Sequence, residues 1–315
     1  MSKTNNTIKT AVIDVGTLKS KFEVREYDEQ FNSTVLTREK ELTVLGRDLD
    51  KNDGMIIRKA IDTTVEALNK FKAKMQDLGV HKHRAVTTEA IRKAKNSKDV
   101  LDEIKDKTGI GLEVLTHDDE AKIYFNSVSK DFPNKTIAVS DIGGGSVQVV
   151  IGRDDEIFET HLFKTGTYFM QENLSKTHHP TKKELANAKK YVKEEMKSLA
   201  KSKHKPELLV YGTTNIIDFL NAMKVNLKKH GNSVDHPYRA TMDQLLPVYD
   251  QIVKYPYEER MSMFPAEPYY MWSAENALIN IFQICDYLSL NTIIPSNNNI
   301  SSGILHELAK SVKNG

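Results

Sequence analysis

Two stretches of this chain follow one plan: an apolar strand ending on an aspartate, a glycine turn, and a second strand. The first is TAVIDVGT at 10–17, and the second is TIAVSDIGGGSVQVVIG at 136–152. After the first turn Phe22 and Val24 alternate with Lys21, Glu23 and Arg25, the period of a strand. A chain that opens both halves with the same strand-turn-strand unit is restricted to two related α/β domains. The 315 residues suit two domains of ordinary size. The polar stretch around Pro133 sets the expected boundary, giving domains at 1–130 and 131–315, with the closing helix able to return to the first.

Between the two turns the pattern alternates helix and strand. Ile57, Ile61, Val65, Leu68, Phe71, Met75 and Leu78 recur at spacings of three and four before Gly79, which predicts an amphipathic helix closed by a C′ glycine. A strand at 83–87, helices at 89–95 and 99–107 and a short strand at 113–115 follow. Asp118, Asp119 and Glu120 then stand where a helix begins, in favourable charge relation to its N-terminus. Downstream, Thr181 and Glu184 form a capping box for a long helix. A strand runs into a loop at 208–215, a buried helix covers about 272–288, and a last strand at 293–296 precedes the closing helix.

With 39% hydrophobic and 28% charged residues the composition is that of a globular protein. The polar opening does not read as a signal peptide, and no apolar run approaches the roughly 20 residues of a spanning helix, so no membrane partner is expected. Cys285 is the single cysteine, which excludes an internal disulfide and a cysteine-based zinc site and points to a reducing, cytoplasmic setting. A net charge of +2 gives no electrostatic reason to expect DNA as a partner, and any anion site must be local. The helix over 181–205 carries nine lysines and three glutamates, most simply a solvated face. His178 and His179, beside a loop proline, are expected to be solvent-exposed rather than metal ligands.

The two turns have the composition of a phosphate clamp. Gly16, and Gly143, Gly144 and Gly145, allow backbone N–H groups to point at one anion, while Thr17 and Ser146 add hydroxyl donors. Asp14 and Asp141 suit Mg²⁺. A plain hairpin bend explains either turn alone, but three successive glycines cost backbone entropy that a plain bend does not require.

Five ordered segments resemble the exopolyphosphatase and guanosine-pentaphosphate phosphatase (Ppx/GppA) family. AVIDVGT is similar to its first phosphate loop and SDIGGGSVQVVIG to its second. AVTTEAIRKAKN at 85–96 resembles its Ala-Thr-x-Ala-Leu-Arg segment, with Thr88, Arg92 and Asn96 in place. VLTHDDEAKIYFNSV resembles the segment holding its catalytic glutamate, which falls on Glu120, and 296–305 echoes its closing motif. The resemblance implies an α/β fold of two actin-like (ASKHA, ribonuclease-H-like) domains with a cleft between them, in a short two-domain form. It also implies Mg²⁺ as cofactor, inorganic polyphosphate or a guanosine polyphosphate as partner, and a homodimer. The chain departs from the pattern at Gln148, where the family has Glu, and at Leu18, where it has Asn. Gly212, Thr213 and Thr214 replace its Gly-Gly-Thr, and Tyr269 and Met271 replace its late Arg and Asp.

The implied chemistry is phosphoanhydride hydrolysis, in which a carboxylate orients and deprotonates water while donors absorb charge on the phosphoryl oxygens. Glu120 is the candidate for the first role. Both loops, Arg92, Gly212 and Thr213 are candidates for the second, with Asp14, Asp141 and Gln148 as metal ligands. A helix-terminus carboxylate at Glu120 and a solvated arginine at 92 are the plain alternatives. Two other functions stay open: a protein that binds polyphosphate or a guanosine polyphosphate without cleaving it, and a kinase of the same fold.

Overall fold

The run Ala11, Val12 and Ile13 contains no polar alternate, and the computed structural model, which describes residues 7–313 apart from 176–178, 213–215, 232–235 and 297, shows why. These residues sit in β1 (Ile8–Val15) with no exposed surface, at the centre of a five-stranded sheet. Around it lie β2 (Ser20–Tyr27), β3 (Ser33–Glu41), β4 (Lys82–Thr87) and β5 (Glu113–Val114) in the order β3-β2-β1-β4-β5. The first three strands are antiparallel neighbours, and β4 and β5 add in parallel. A strand covered on both faces reads as a continuous apolar run.

α1 (Arg58–Leu78) covers one face with Ile61, Leu68, Phe71 and Met75, and Phe71 stacks on Phe22 at 4.9 Å. It ends where the glycine signal indicated: Gly79 takes φ 62° and donates to Gln76 O, while Val80 N reaches Met75 O. α2 (Glu89–Lys93) follows β4, α3 (Ser97–Thr108) packs on α1, and α4 (His117–Ser129) follows β5.

The chain divides into two units, residues 1–120 with 300–315, and residues 121–299. The division falls inside α4, ahead of the polar stretch at 130–135 that serves as the loop into the next strand.

The second unit holds β6 (Thr136–Ile142), β7 (Val147–Arg153), β8 (Glu156–Phe163), β9 (Leu208–Gly212), β10 (Lys228–Lys229), β11 (Tyr238–Thr241) and β12 (Thr292–Ser296). Its sheet runs β10-β11-β12-β9-β6-β7-β8. Read from the β8 edge, the order and directions of β8-β7-β6-β9-β12 match those of the first unit, so the repeat in the sequence is a repeat of topology. The helices are α5 (Thr167–Asn173), α6 (Lys182–Glu195), α7 (Ile216–Ala222), α8 (Met242–Lys254), α9 (Tyr257–Arg260) and α10 (Ala274–Leu288). α10 supplies Leu278, Ile281, Ile284 and Leu288 to the core. The Thr181–Glu184 capping box opens α6.

The last helix, α11 (Ile300–Lys313), belongs to the first unit and packs on β1, β2 and β4. It explains Glu23 and Arg25, which lie on the face of β2 opposite Phe22 and Val24 yet are buried. Arg25 Nη2 donates to Ser302 Oγ at 3.0 Å, and Arg38 Nε to Glu23 Oε2 at 2.9 Å. Burial pushes the Glu23 carboxyl up, but Arg25 and Arg38 outweigh it and hold it below the usual carboxylate range. Among the described residues no helix is long and apolar enough to cross a membrane.

Candidate functional site

Each unit carries its glycine turn at the same place, between its first two strands, and the turns are built alike. Gly16 N donates to Lys19 O and Gly143 N to Ser146 O, both at 3.0 Å. A Cβ on either glycine would stand 3.2 Å from that carbonyl oxygen. Asp14 and Asp141 each lie two residues before the closing glycine.

Two carbonyls of each turn are engaged by backbone N–H groups of another segment. In the first unit Gly46 N donates to Thr17 O and Val44 N to Leu18 O, both at 2.9 Å. In the second, Thr167 N reaches Gly143 O at 2.9 Å and Phe169 N reaches Gly144 O at 3.0 Å, using N–H groups that the first turn of α5 leaves without intrahelical partners. Gly166, just before α5, packs directly on the loop, since a Cβ there would run into Gly144 O, Gly145 C and Ser146 N. Asn280 Nδ2 in turn fixes Thr165 O at 2.9 Å. Nothing near Gly46 or Gly166 in sequence marks them as partners of the turns, because the link is tertiary.

Asp14 is buried at the end of β1, and Lys21, opposite it on β2, approaches Oδ2 at 3.4 Å. Asp141 faces Gln148 across the β6–β7 pair, which places both on one side of the sheet. Val147, Val149 and Ile151 point to the other side, into the core, as the strand period requires. Gly212 pairs with Asp141 on the parallel side, while Thr213 and Thr214, like His178, lie outside the described residues. Among the described residues no three His, Cys, Asp or Glu side chains group as a metal site.

Arg92 and Glu120 are brought together in the first unit, where α2 and α4 begin after the adjacent parallel strands β4 and β5. The Arg92 guanidinium bonds Glu120 and the Leu115 carbonyl through Nη1. Through Nη2 it reaches Glu89 Oε2 at 3.2 Å and His117 Nδ1 at 3.0 Å. Its side chain is only 16% exposed, so it is not a solvated helix residue. Thr116 and Asp119 bond one another reciprocally at the start of α4, in the manner of a capping box, and fix the turn that carries Glu120. Burial and the Arg92 charge hold the His117 imidazole below its ordinary value. Burial pushes the Glu89 carboxyl up, but Lys93 and Arg92 outweigh it. Asn96 plays a structural part instead, its side chain bonding both backbone groups of Ile56 and so pinning the start of α3 to the approach to α1.

Comparison with known proteins agrees with this architecture. A crystal structure of an exopolyphosphatase from Cytophaga hutchinsonii superposes with a TM-score of 0.84 at 21% identity, covering 96% of this chain and 98% of that one. Exopolyphosphatase 1 of Mycobacterium tuberculosis is 28% identical over 151 residues, 47% of this chain and 44% of that protein. A bifunctional 3-dehydroquinate synthase/phosphatase of Fusobacterium nucleatum is 26% identical over 211 residues, 63% of this chain and 32% of that protein. The chain thus spans less than half the length of these two relatives. The model of the Ppx/GppA phosphatase family matches residues 24–312, and with nearly its whole length accounted for, the chain belongs to that family.

Proposed function

We propose that this chain is an exopolyphosphatase that releases the terminal phosphate of inorganic polyphosphate in the cytoplasm, with the 5′ phosphate of pppGpp as a second substrate. The observation that carries the reading is the shared construction of the two turns: each follows a strand-end aspartate, closes through a glycine N–H, and has two loop carbonyls bonded by N–H groups of another segment. A turn whose carbonyls are engaged offers mainly N–H groups to an incoming anion.

In this reading water attacks the terminal phosphorus in line, Glu120 takes its proton, and the anhydride P–O bond breaks with its electrons leaving on the shortened chain. Without substrate, Arg92 holds the Glu120 carboxylate. Phosphoryl oxygens compete for the same guanidinium, so the substrate itself frees Glu120. Within the second unit Asp141 with Gln148 beside it, and within the first Asp14, offer oxygens suited to Mg²⁺, which keeps several waters and needs only one or two carboxylates. Bound there, the ion would supply positive charge to the phosphoryl oxygens.

Phosphate release from long-chain polyphosphate and from pppGpp, measured side by side, tests the substrate choice. A specific observation favours a second reading, a binding protein without turnover: Gln148 stands next to Asp141 where the family pattern has a carboxylate. Tight polyphosphate binding without release at high protein concentration would establish that alternative.

A further inference from the structure

Thr17 is the one hydroxyl of the first turn, and its rotamer decides where that hydroxyl points. Gly46 lies 29 positions further along the chain and donates its N–H to Thr17 O at 2.9 Å. A Cβ built on Gly46 would fall far inside van der Waals contact with Thr17 Cγ2, whereas its next neighbours, Thr17 Cβ and O, would stand at an ordinary 3.5 Å. The clash is therefore with one methyl group. Its cheapest relief is rotation of Thr17 about χ1 to another staggered well, which carries Oγ1 away from its place.

The segment around Gly46 is held firmly. Val44 N bonds Leu18 O at 2.9 Å, and Arg47 N bonds Val44 O at 2.9 Å. Val44 itself sits at φ 47°, a left-handed conformation that a β-branched residue adopts only where its surroundings impose it. Gly46 cannot drift back to make room, so the threonine must turn.

We propose that Gly46 is a positioning residue for the first phosphate loop: the absence of a side chain at 46 holds the Thr17 methyl against the 44–46 strap and so aims the Thr17 hydroxyl at the bound phosphate. The role in phosphate binding rests on the proposed function; the control of the Thr17 rotamer does not.

The test is a cycle of Gly46→Ala, Thr17→Ser and the double variant. Crystal structures of wild type and Gly46→Ala report the Thr17 rotamer. The expected result is a χ1 changed by roughly 120°, one staggered well to the next, with the fold unchanged. An unaltered rotamer overturns the proposal whether or not the protein has any activity. Steady-state phosphate release then reads the consequence: Gly46→Ala raises KM for polyphosphate about tenfold to a hundredfold, the size of a lost hydrogen bond to a charged group. The double variant returns to the KM of Thr17→Ser alone, because serine lacks the offending methyl. A double variant as impaired as Gly46→Ala would overturn the proposal, since damage from the methyl added at position 46 would not run through Thr17. A wild type that neither binds nor cleaves polyphosphate would instead sink the proposed function and leave the rotamer measurement to decide the positioning.

Discussion

The Arg92 guanidinium is bonded to the Glu120 carboxylate, in a network that also takes in Glu89, His117 and the Leu115 carbonyl. The residue with the best claim to be the general base is thus paired with the residue expected to bind phosphate.

Glu120→Gln keeps the shape of the side chain and removes its basicity. Turnover of polyphosphate should fall by roughly 10²- to 10⁴-fold, the usual size of a general-base contribution, while Kd for polyphosphate stays nearly unchanged or tightens because Arg92 is less strongly held. Single-turnover rates and equilibrium binding separate the two effects. Unchanged turnover would remove Glu120 from the base role.

His117 gives the network a pH signature. Its folded pKa is lowered by burial and by Arg92, so between the unfolded value near 6.5 and the folded one the unfolded chain binds the proton and the native state does not. Stability attributable to this group is complete above that window and declines as pH falls through it. His83 and His230 are lowered too, chiefly by burial, and add to the same slope. His117→Gln, which keeps an acceptor for Arg92, should flatten part of the fall in Tm between pH 7.5 and 5.5. An identical Tm profile would show that His117 does not titrate in the network.

Gly166→Ala tests the second turn. The added methyl would meet main-chain atoms of Gly144, Gly145 and Ser146, which no rotamer change can move. The loop itself must shift, and kcat/KM is expected to fall about 10²-fold, the typical effect of an ångström-scale misplacement. Replacement of Ser146 should not restore it. Wild-type kinetics in Gly166→Ala would mean that the loop's position does not matter to the reaction.

Local features of the fold were readable because they rest on short-range rules. The helix at 58–78 was marked by spacing and by Gly79, α6 by Thr181 and Glu184, and the two turns by an aspartate and glycines after an apolar strand. β3 was not marked: STVLTREKE is half exposed on a sheet edge, and its charged residues blur the period. The burial of Glu23 and Arg25 could not be read either, because their cover is a helix whose Ser302 lies 277 residues from Arg25. Of the candidate site, the residue types were legible and the pairings were not. Arg92 reads equally as solvated or phosphate-facing until Glu120 is placed beside it, and a glycine at 46 has no meaning without Thr17.

Gln148→Glu returns a carboxylate to the position facing Asp141. An amide oxygen ligates a hard cation without charge, so the variant should reach half-maximal activity at a lower Mg²⁺ concentration and release phosphate faster. A fixed Mg²⁺ requirement, or a loss of activity, would show that the site has been rebuilt around the amide.

Hydrolysis is read from phosphate release from long-chain polyphosphate by the purified wild-type chain, with Mg²⁺ and with EDTA. Steady release that depends on the divalent ion and stops on chelation is the expected result, because a bare phosphate chain would otherwise meet carboxylates with its charge unshielded. Polyphosphate that binds tightly yet is never shortened, at high protein concentration and saturating Mg²⁺, would contradict it.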